Sequence, residues 1–179
     1  AVHVDHWGIF VTTSQVSEDV AVVNVKAEVA GADSKTEVLH EIIETGVSGT
    51  GMDSVLKVPQ PKLWDLQSPN LYTLKTTVQQ NGKTVDTVIT TFGIRTIEYT
   101  ADGFFLNGKK VRMHGVCQHH DLGPLGTAVN RRALERQIEI LQEMGCNAIR
   151  TAHNPPAPEL LDLCDRMGML VQVEAFDCW

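Results

Sequence analysis

CNAIRTAHNPP, residues Cys146–Pro156, is the stretch on which the reading of the fold turns. A small and apolar lead-in is followed by Arg150, His153 and then Pro155-Pro156. A surface loop has no need of a buried lead-in. A strand cannot continue through two residues that lack a backbone N–H. The stretch therefore predicts a short buried strand that carries an arginine and a histidine out of a core and then stops.

Working outward, both flanks read as helices. Upstream, NRRALERQIEILQEMG (130–145) puts Leu134, Ile138 and Leu141 at helical spacing, with Asn130 as N-cap and Gly145 as the stop. Downstream, PELLDLCDRMG (158–168) opens on a proline suited to a first turn and closes on Gly168. MLVQVEAFDCW (169–179) follows as another strand. With strands near Val111–Val116, Ala148–Thr151 and Leu170–Glu174, the second half is β-α-β-α-β. That alternation means parallel strands with helices outside. Two repeats are too few for a doubly wound domain, but they suit the opening of a (β/α)₈ barrel.

In parallel β/α folds the chemistry gathers at the C-terminal ends of the strands. The three strands end in GVCQHHD, RTAHNPP and VEAFD. His119, His120 and Asp121, then Arg150, His153 and Asn154, then Glu174 and Asp177 are expected on one face. His120 and Asp121 read first as a solvated loop, and a strand-end histidine also serves as a cap on a neighbouring carbonyl. Arg150 demands more, because an unpaired guanidinium at the end of a buried strand costs several kcal/mol. Its carboxylate is Glu174 on the adjacent strand, or it lies on a strand this chain does not contain. His114, His119, His120, Asp121 and His153 offer metal donors, but HHD without a helical His pair is a weak pattern. No metal is expected. No glycine-rich loop joins a strand to a helix, so no nucleotide or other cofactor is expected either.

From Val2 to about Ile97 the period is two. VAVVNVKAEVA (20–30) sets Val23, Val25, Ala27 and Val29 on one face and Asn24, Lys26 and Glu28 on the other. LYTLKTTVQQNGKTVDTVITTF (71–92) predicts a hairpin turning at Asn81-Gly82, and GFFLNGKKVRMHG (103–115) another at Asn107-Gly108. Six or seven such strands suit an antiparallel β-sandwich. The proline-rich crossing PQPKLWDLQSPNLY (59–72) is expected to anchor on the sandwich core through Leu63, Trp64 and Leu66, Trp64 being read as packing rather than as a sugar platform.

A formal charge of −7 over 179 residues argues against nucleic acid as a partner. No apolar run approaches the roughly 20 residues of a membrane span. No basic-then-apolar secretion signal opens the chain. Cys117, Cys146, Cys164 and Cys178 match no zinc template and are read as reduced packing thiols.

NAIRTAHNPPAPELLDLCDRMGMLV (147–171) closely resembles the first signature of glycoside hydrolase family 2, the family of β-galactosidases, β-glucuronidases and β-mannosidases. Its frame is Asn147, Arg150, His153, Pro155, Leu160-Leu161, Asp165 and Gly168. FGIRTIEYTADGFFLNGKKVRMHGVCQHHD (92–121) resembles the family's junction between an immunoglobulin-like sandwich and the barrel, and PKLWDLQSPNLYTLKTTV (61–78) the end region of that sandwich. Two departures stand out: Asn154 where many members carry tyrosine, and Val173 where aspartate is common. The wording over 132–156 and 174–179 is most similar to the β-galactosidase branch.

The resemblance implies an immunoglobulin-like sandwich over 1–97 and the N-terminal portion of a TIM-barrel glycosidase domain over 98–179. It implies that His119 and His153 contact the sugar, that Arg150 orients the nucleophilic glutamate, and that Asn147 and Glu174 form the floor of the site. The retaining reaction needs an acid/base and a nucleophile about 5–5.5 Å apart. In the family these glutamates follow barrel strands four and seven, beyond this chain, so no catalytic residue is expected within it. The chain is then a fragment of a retaining β-glycosidase, most similar to β-galactosidases, inactive by itself, whose open barrel edges invite self-association. Two other readings remain: a non-catalytic carbohydrate-binding module, and an interaction scaffold.

Overall fold

A computed structural model describes residues 1–175. They divide into two compact units, one of residues 1–63 with 70–97 and one of residues 64–69 with Glu98 onward.

The first unit is a sandwich of seven strands: β1 (His3–Val16), β2 (Val20–Ala30), β3 (Thr36–Ile42), β4 (Val47–Thr50), β5 (Asp53–Pro59), β6 (Tyr72–Gln80) and β7 (Lys83–Phe92). One sheet has the order β1-β2-β5 and the other β4-β3-β6-β7, every pair antiparallel. The period-two pattern places its apolar set as expected. Ala21, Val23, Val25 and Ala27 of β2 are buried, as are Tyr72, Leu74 and Val78 of β6. With Ile42, Leu56, Val58, Phe92 and Ile94 they make the core. The β6–β7 turn falls on Asn81-Gly82, both at positive φ, as a two-residue hairpin requires.

Two polar side chains are built into this unit. Tyr72, at the start of β6, stacks on Phe92 and accepts the Lys62 N–H at 2.8 Å, which pins the proline-rich crossing. His40 takes an inward position between Val38 and Ile42. Its Nε2 lies 3.0 Å from the Gly51 carbonyl and its Nδ1 3.0 Å from Thr76 Oγ1. A carbonyl only accepts, so Nε2 carries the proton and Nδ1 accepts from the threonine hydroxyl.

In the second unit β8 (Ile97–Thr100), β9 (Gly103–Leu106) and β10 (Lys109–Lys110) form a small sheet, with Asn107-Gly108 at the hairpin turn. A parallel sheet follows, β11 (Gly115–Gln118), β12 (Ala148–Thr151) and β13 (Leu170–Gln172), in that order. Helices α1 (Arg131–Glu143) and α2 (Pro158–Met167) connect the strands. Asn130 accepts from the Ala133 N–H as N-cap, Pro158 opens α2, and Gly168 closes it in the left-handed conformation. Leu134, Ile138, Ile149, Leu160, Leu163, Cys164 and Met169 fill the layer between helices and sheet. No helix of the described residues is long and apolar enough to cross a membrane.

The structure corrects the sequence reading at three places. The first parallel strand starts at Gly115, not near Val111. Residues 112–114 are held instead by one side chain, Asn147, whose Nδ2 donates to Arg112 O at 3.0 Å and whose Oδ1 accepts the His114 N–H at 2.8 Å. The third strand ends at Gln172, because the Glu174 N–H turns to the Thr151 hydroxyl at 3.2 Å. Of the three residues expected to anchor the crossing, Leu63 packs on the sandwich core, whereas Trp64 and Leu66 group with the second unit. There the fully buried Trp64 donates its indole N–H to Asp165 O at 2.6 Å. Leu66 O approaches Gly168 so closely that a Cβ there would stand 2.6 Å from it.

Candidate active site

The register of β11, β12 and β13 assembles the site. Ile149 and Val171 face the helices. Alternation turns Arg150 to the other face, in one row with Cys117 and Gln172. There the Arg150 Nε donates to Glu174 Oε1 at 2.6 Å, and Nη2 reaches the same oxygen. On its other side Nη1 donates to Cys117 Sγ at 3.3 Å. The Cys117 sulfur first, and then the Glu174 carboxylate, raise the affinity of the guanidinium for its proton.

Beyond Thr151 the chain leaves the sheet at Ala152, whose N–H donates to Gln118 O, and the Ala152–His153 peptide is cis. His153 Nδ1 stands 3.4 Å from Glu174 Oε2. The His119 and His153 rings meet edge to face, 5.5 Å apart. Arg150, His153, Glu174 and His119, drawn from the ends of three parallel strands, thus converge. The side chains of Arg150, His153 and Glu174 keep 39%, 34% and 22% of their surface, so the cluster is open to a ligand. One carboxylate thus faces a guanidinium through Oε1 and an imidazole through Oε2. The imidazoles and the guanidinium offer the hydrogen bonds that a hydroxyl-rich or carboxylate-bearing ligand needs.

The remaining candidates lie elsewhere. Asn147 is not on the floor with Glu174: it precedes β12, at the N-terminal end of that strand, and its amide is engaged with Arg112 and His114. His114 stands at that same end and does not join the other histidines. His120 Nε2 donates to Thr127 O at 3.1 Å, and Asp121 Oδ1 accepts the Gly123 N–H at 2.6 Å. Both are used to shape the loop after β11. Asn154 is exposed and borders an open cleft lined also by Gln118, His119, Asp121, Gln137 and Thr151. Asp177 lies outside the described residues, as does Cys178. Among the described residues no three His, Cys, Asp or Glu side chains group as a metal site would require.

Cys117 corrects the reading of the cysteines as packing thiols: it is exposed and bonded to Arg150. Strand alternation was the signal that would have found it, since in-register parallel pairing sets Cys117 beside Arg150. Thr151, whose hydroxyl places the Glu174 backbone, had no such signal.

Comparison with known proteins gives the family. Residues 2–95 match the family model for glycosyl hydrolases family 2, and residues 97–176 match the model of that family's TIM barrel domain. The chain is 49% identical to a β-galactosidase of Bacteroides ovatus, over 99% of the chain and 23% of that protein. It is 38% identical to a putative β-glucuronidase of Formosa agariphila, over 96% of the chain and 18% of that protein. A solved glycosyl hydrolase family 2 structure from Bacteroides cellulosilyticus superimposes with a TM-score of 0.92 at 37% identity, over 99% of this chain and 27% of that one. The chain therefore spans about a quarter or less of the length of these relatives. The first unit is the family's sandwich, the second holds the opening strands of its TIM barrel, and the chain belongs to glycoside hydrolase family 2.

Proposed function

We propose that the chain supplies the sandwich, residues 1–97, and the first strands of the catalytic barrel, residues 98–179, of a retaining β-glycosidase that releases terminal β-linked sugars, with galactose as the preferred sugar. His119 and His153 contact the sugar hydroxyls. Arg150 orients the nucleophilic carboxylate, and Glu174 forms the floor beneath it. The observation that carries this reading is the convergence of Arg150, His153, Glu174 and His119 at the C-terminal ends of β11, β12 and β13. The identity to a β-galactosidase over nearly the whole chain supports galactose over glucuronic acid or mannose.

Alone, the chain does not turn over. Retention needs two carboxylates about 5–5.5 Å apart, one protonated and one free to attack. The resemblance puts both after barrel strands four and seven, whereas Asp121 and Glu174 follow β11 and β13, the first and third, so neither takes those roles. Among the described residues β11 and β13 each leave one edge unpaired. A second copy pairing there would make the isolated chain associate with rising concentration in sedimentation.

The test is hydrolysis of chromogenic β-galactoside, β-glucuronide and β-mannoside by this chain, alone and extended through the remaining barrel strands. Activity on the galactoside only in the extended protein is expected. Turnover by the chain alone would assign the chemistry to Glu174 and overturn its role as the floor of the site. Sugar binding without turnover in the extended protein would favour a carbohydrate-binding module.

A further inference from the structure

Gln137 stands midway along α1, between the helix-facing core and the loop after β11. Its Nε2 donates to Asp121 O at 3.4 Å, and its Oε1 accepts from Gln118 Nε2. A carbonyl can only accept, so the bond to Asp121 O dictates which end of the Gln137 amide faces the loop. The other end is then an acceptor, and Gln118 must present its NH₂. The remaining Gln118 Oε1 is left buried and without a partner among the described residues. A buried orphan acceptor is unfavourable. In this pair of amides it follows from a polarity set by one loop carbonyl.

Gln118 and Asp121 bracket His119. Gln118 is fixed in the sheet, its carbonyl accepting the Ala152 N–H at 3.1 Å, and the Asp121 N–H donates to His119 O at 2.8 Å. One side chain therefore grips the chain on both sides of the histidine. We propose that Gln137 is a positioning residue for His119: it holds the loop after β11 so that the His119 ring meets that of His153. The consequence for sugar binding rests on the proposed contact between His119 and the sugar; the placement of the ring does not.

The test is NMR of this chain with isotope-labelled histidine, in wild type, Gln137→Ala, Gln137→Glu and Gln142→Ala. Gln142 is the control on the same helix, donating to Met167 O at 2.6 Å. Gln137→Ala removes both arms of the clamp. Gln137→Glu keeps an acceptor for Gln118 but places a carboxylate against Asp121 O. Both are expected to shift the His119 ring signals and abolish the cross-peak between the His119 and His153 rings, leaving those of His40 in place. Gln142→Ala should lower the melting temperature and leave His119 unmoved. Should Gln137→Ala fail to fold, Gln137→Glu decides. His119 signals that coincide with wild type in the Gln137 variants, or that move equally in Gln142→Ala, would overturn the proposal. Titration of the protein extended through the remaining barrel strands with methyl β-galactoside separates the two ideas: no response at His119 would sink the sugar contact and leave the clamp standing.

Discussion

Glu174 Oε1 accepts from both Nε and Nη2 of Arg150, which leaves Oε2 directed at His153. One carboxylate thus sets the orientation of a guanidinium and an imidazole from the neighbouring strand. In the protein extended through the remaining barrel strands, Glu174→Gln is expected to lower kcat/KM by about 10²-fold, the scale of misplacing a catalytic group by about 1 Å. The loss should fall mainly on kcat if Arg150 serves the transition state, and steady-state kinetics on the galactoside measures it. An unchanged kcat would detach Glu174 from the chemistry.

The buried His40 gives the sandwich a pH dependence. Burial, partly offset by its bond to the Gly51 carbonyl, pushes its pKa below the ordinary 6.5. The unfolded chain therefore binds the proton more readily than the folded one. Stability is fully present above pH 6.5 and falls as the pH drops through and below it. Thermal melts between pH 8 and 5 should show this decline, and His40→Gln, which can hydrogen-bond but does not titrate, should flatten it. Equal slopes in the two proteins would assign the decline to other groups.

The strap at 64–69 makes the second unit depend on residues far away in sequence. Gly168 sits at φ +74° with Leu66 O where its Cβ would be. Gly168→Ala should cost at least about 1–2 kcal/mol from the left-handed backbone alone. Trp64→Ala empties a fully buried indole site and removes its bond to the Asp165 carbonyl, for roughly 3–5 kcal/mol. Urea midpoints are the measure, and a Trp64→Ala protein as stable as wild type would refute the packing role.

Thiol chemistry should separate the cysteines. Burial, with the charge of Asp165 adding to it, pushes the Cys164 thiol up to about 12. Cys117 is exposed beside a guanidinium. Iodoacetamide at pH 8 followed by peptide mass mapping should label Cys117 in the native chain, and Cys164 only after unfolding. Early labelling of Cys164 would mean that the layer between helices and sheet opens readily.

What depends on neighbours along the chain was legible without coordinates. Alternation set the buried faces of β2 and β6. Asn-Gly pairs marked both hairpin turns, and Asn130, Pro158 and Gly168 marked the helix ends, because each acts through its own φ, its own side chain or the next turn. The parallel strands and the polar residues at their C-terminal ends followed from the change of period. Where contacts join residues distant in sequence, tertiary structure alone decided. Trp64 reaches Asp165 across 101 positions, and Asn147 works at the end of β12 opposite the site. Arg150 meets Glu174, one of the two partners its charge suggested, and also Cys117, which its charge did not suggest. A sequence states which groups need partners. Which partners they meet is set by strand register and by the packing of the loops that follow, and those are properties of the folded chain.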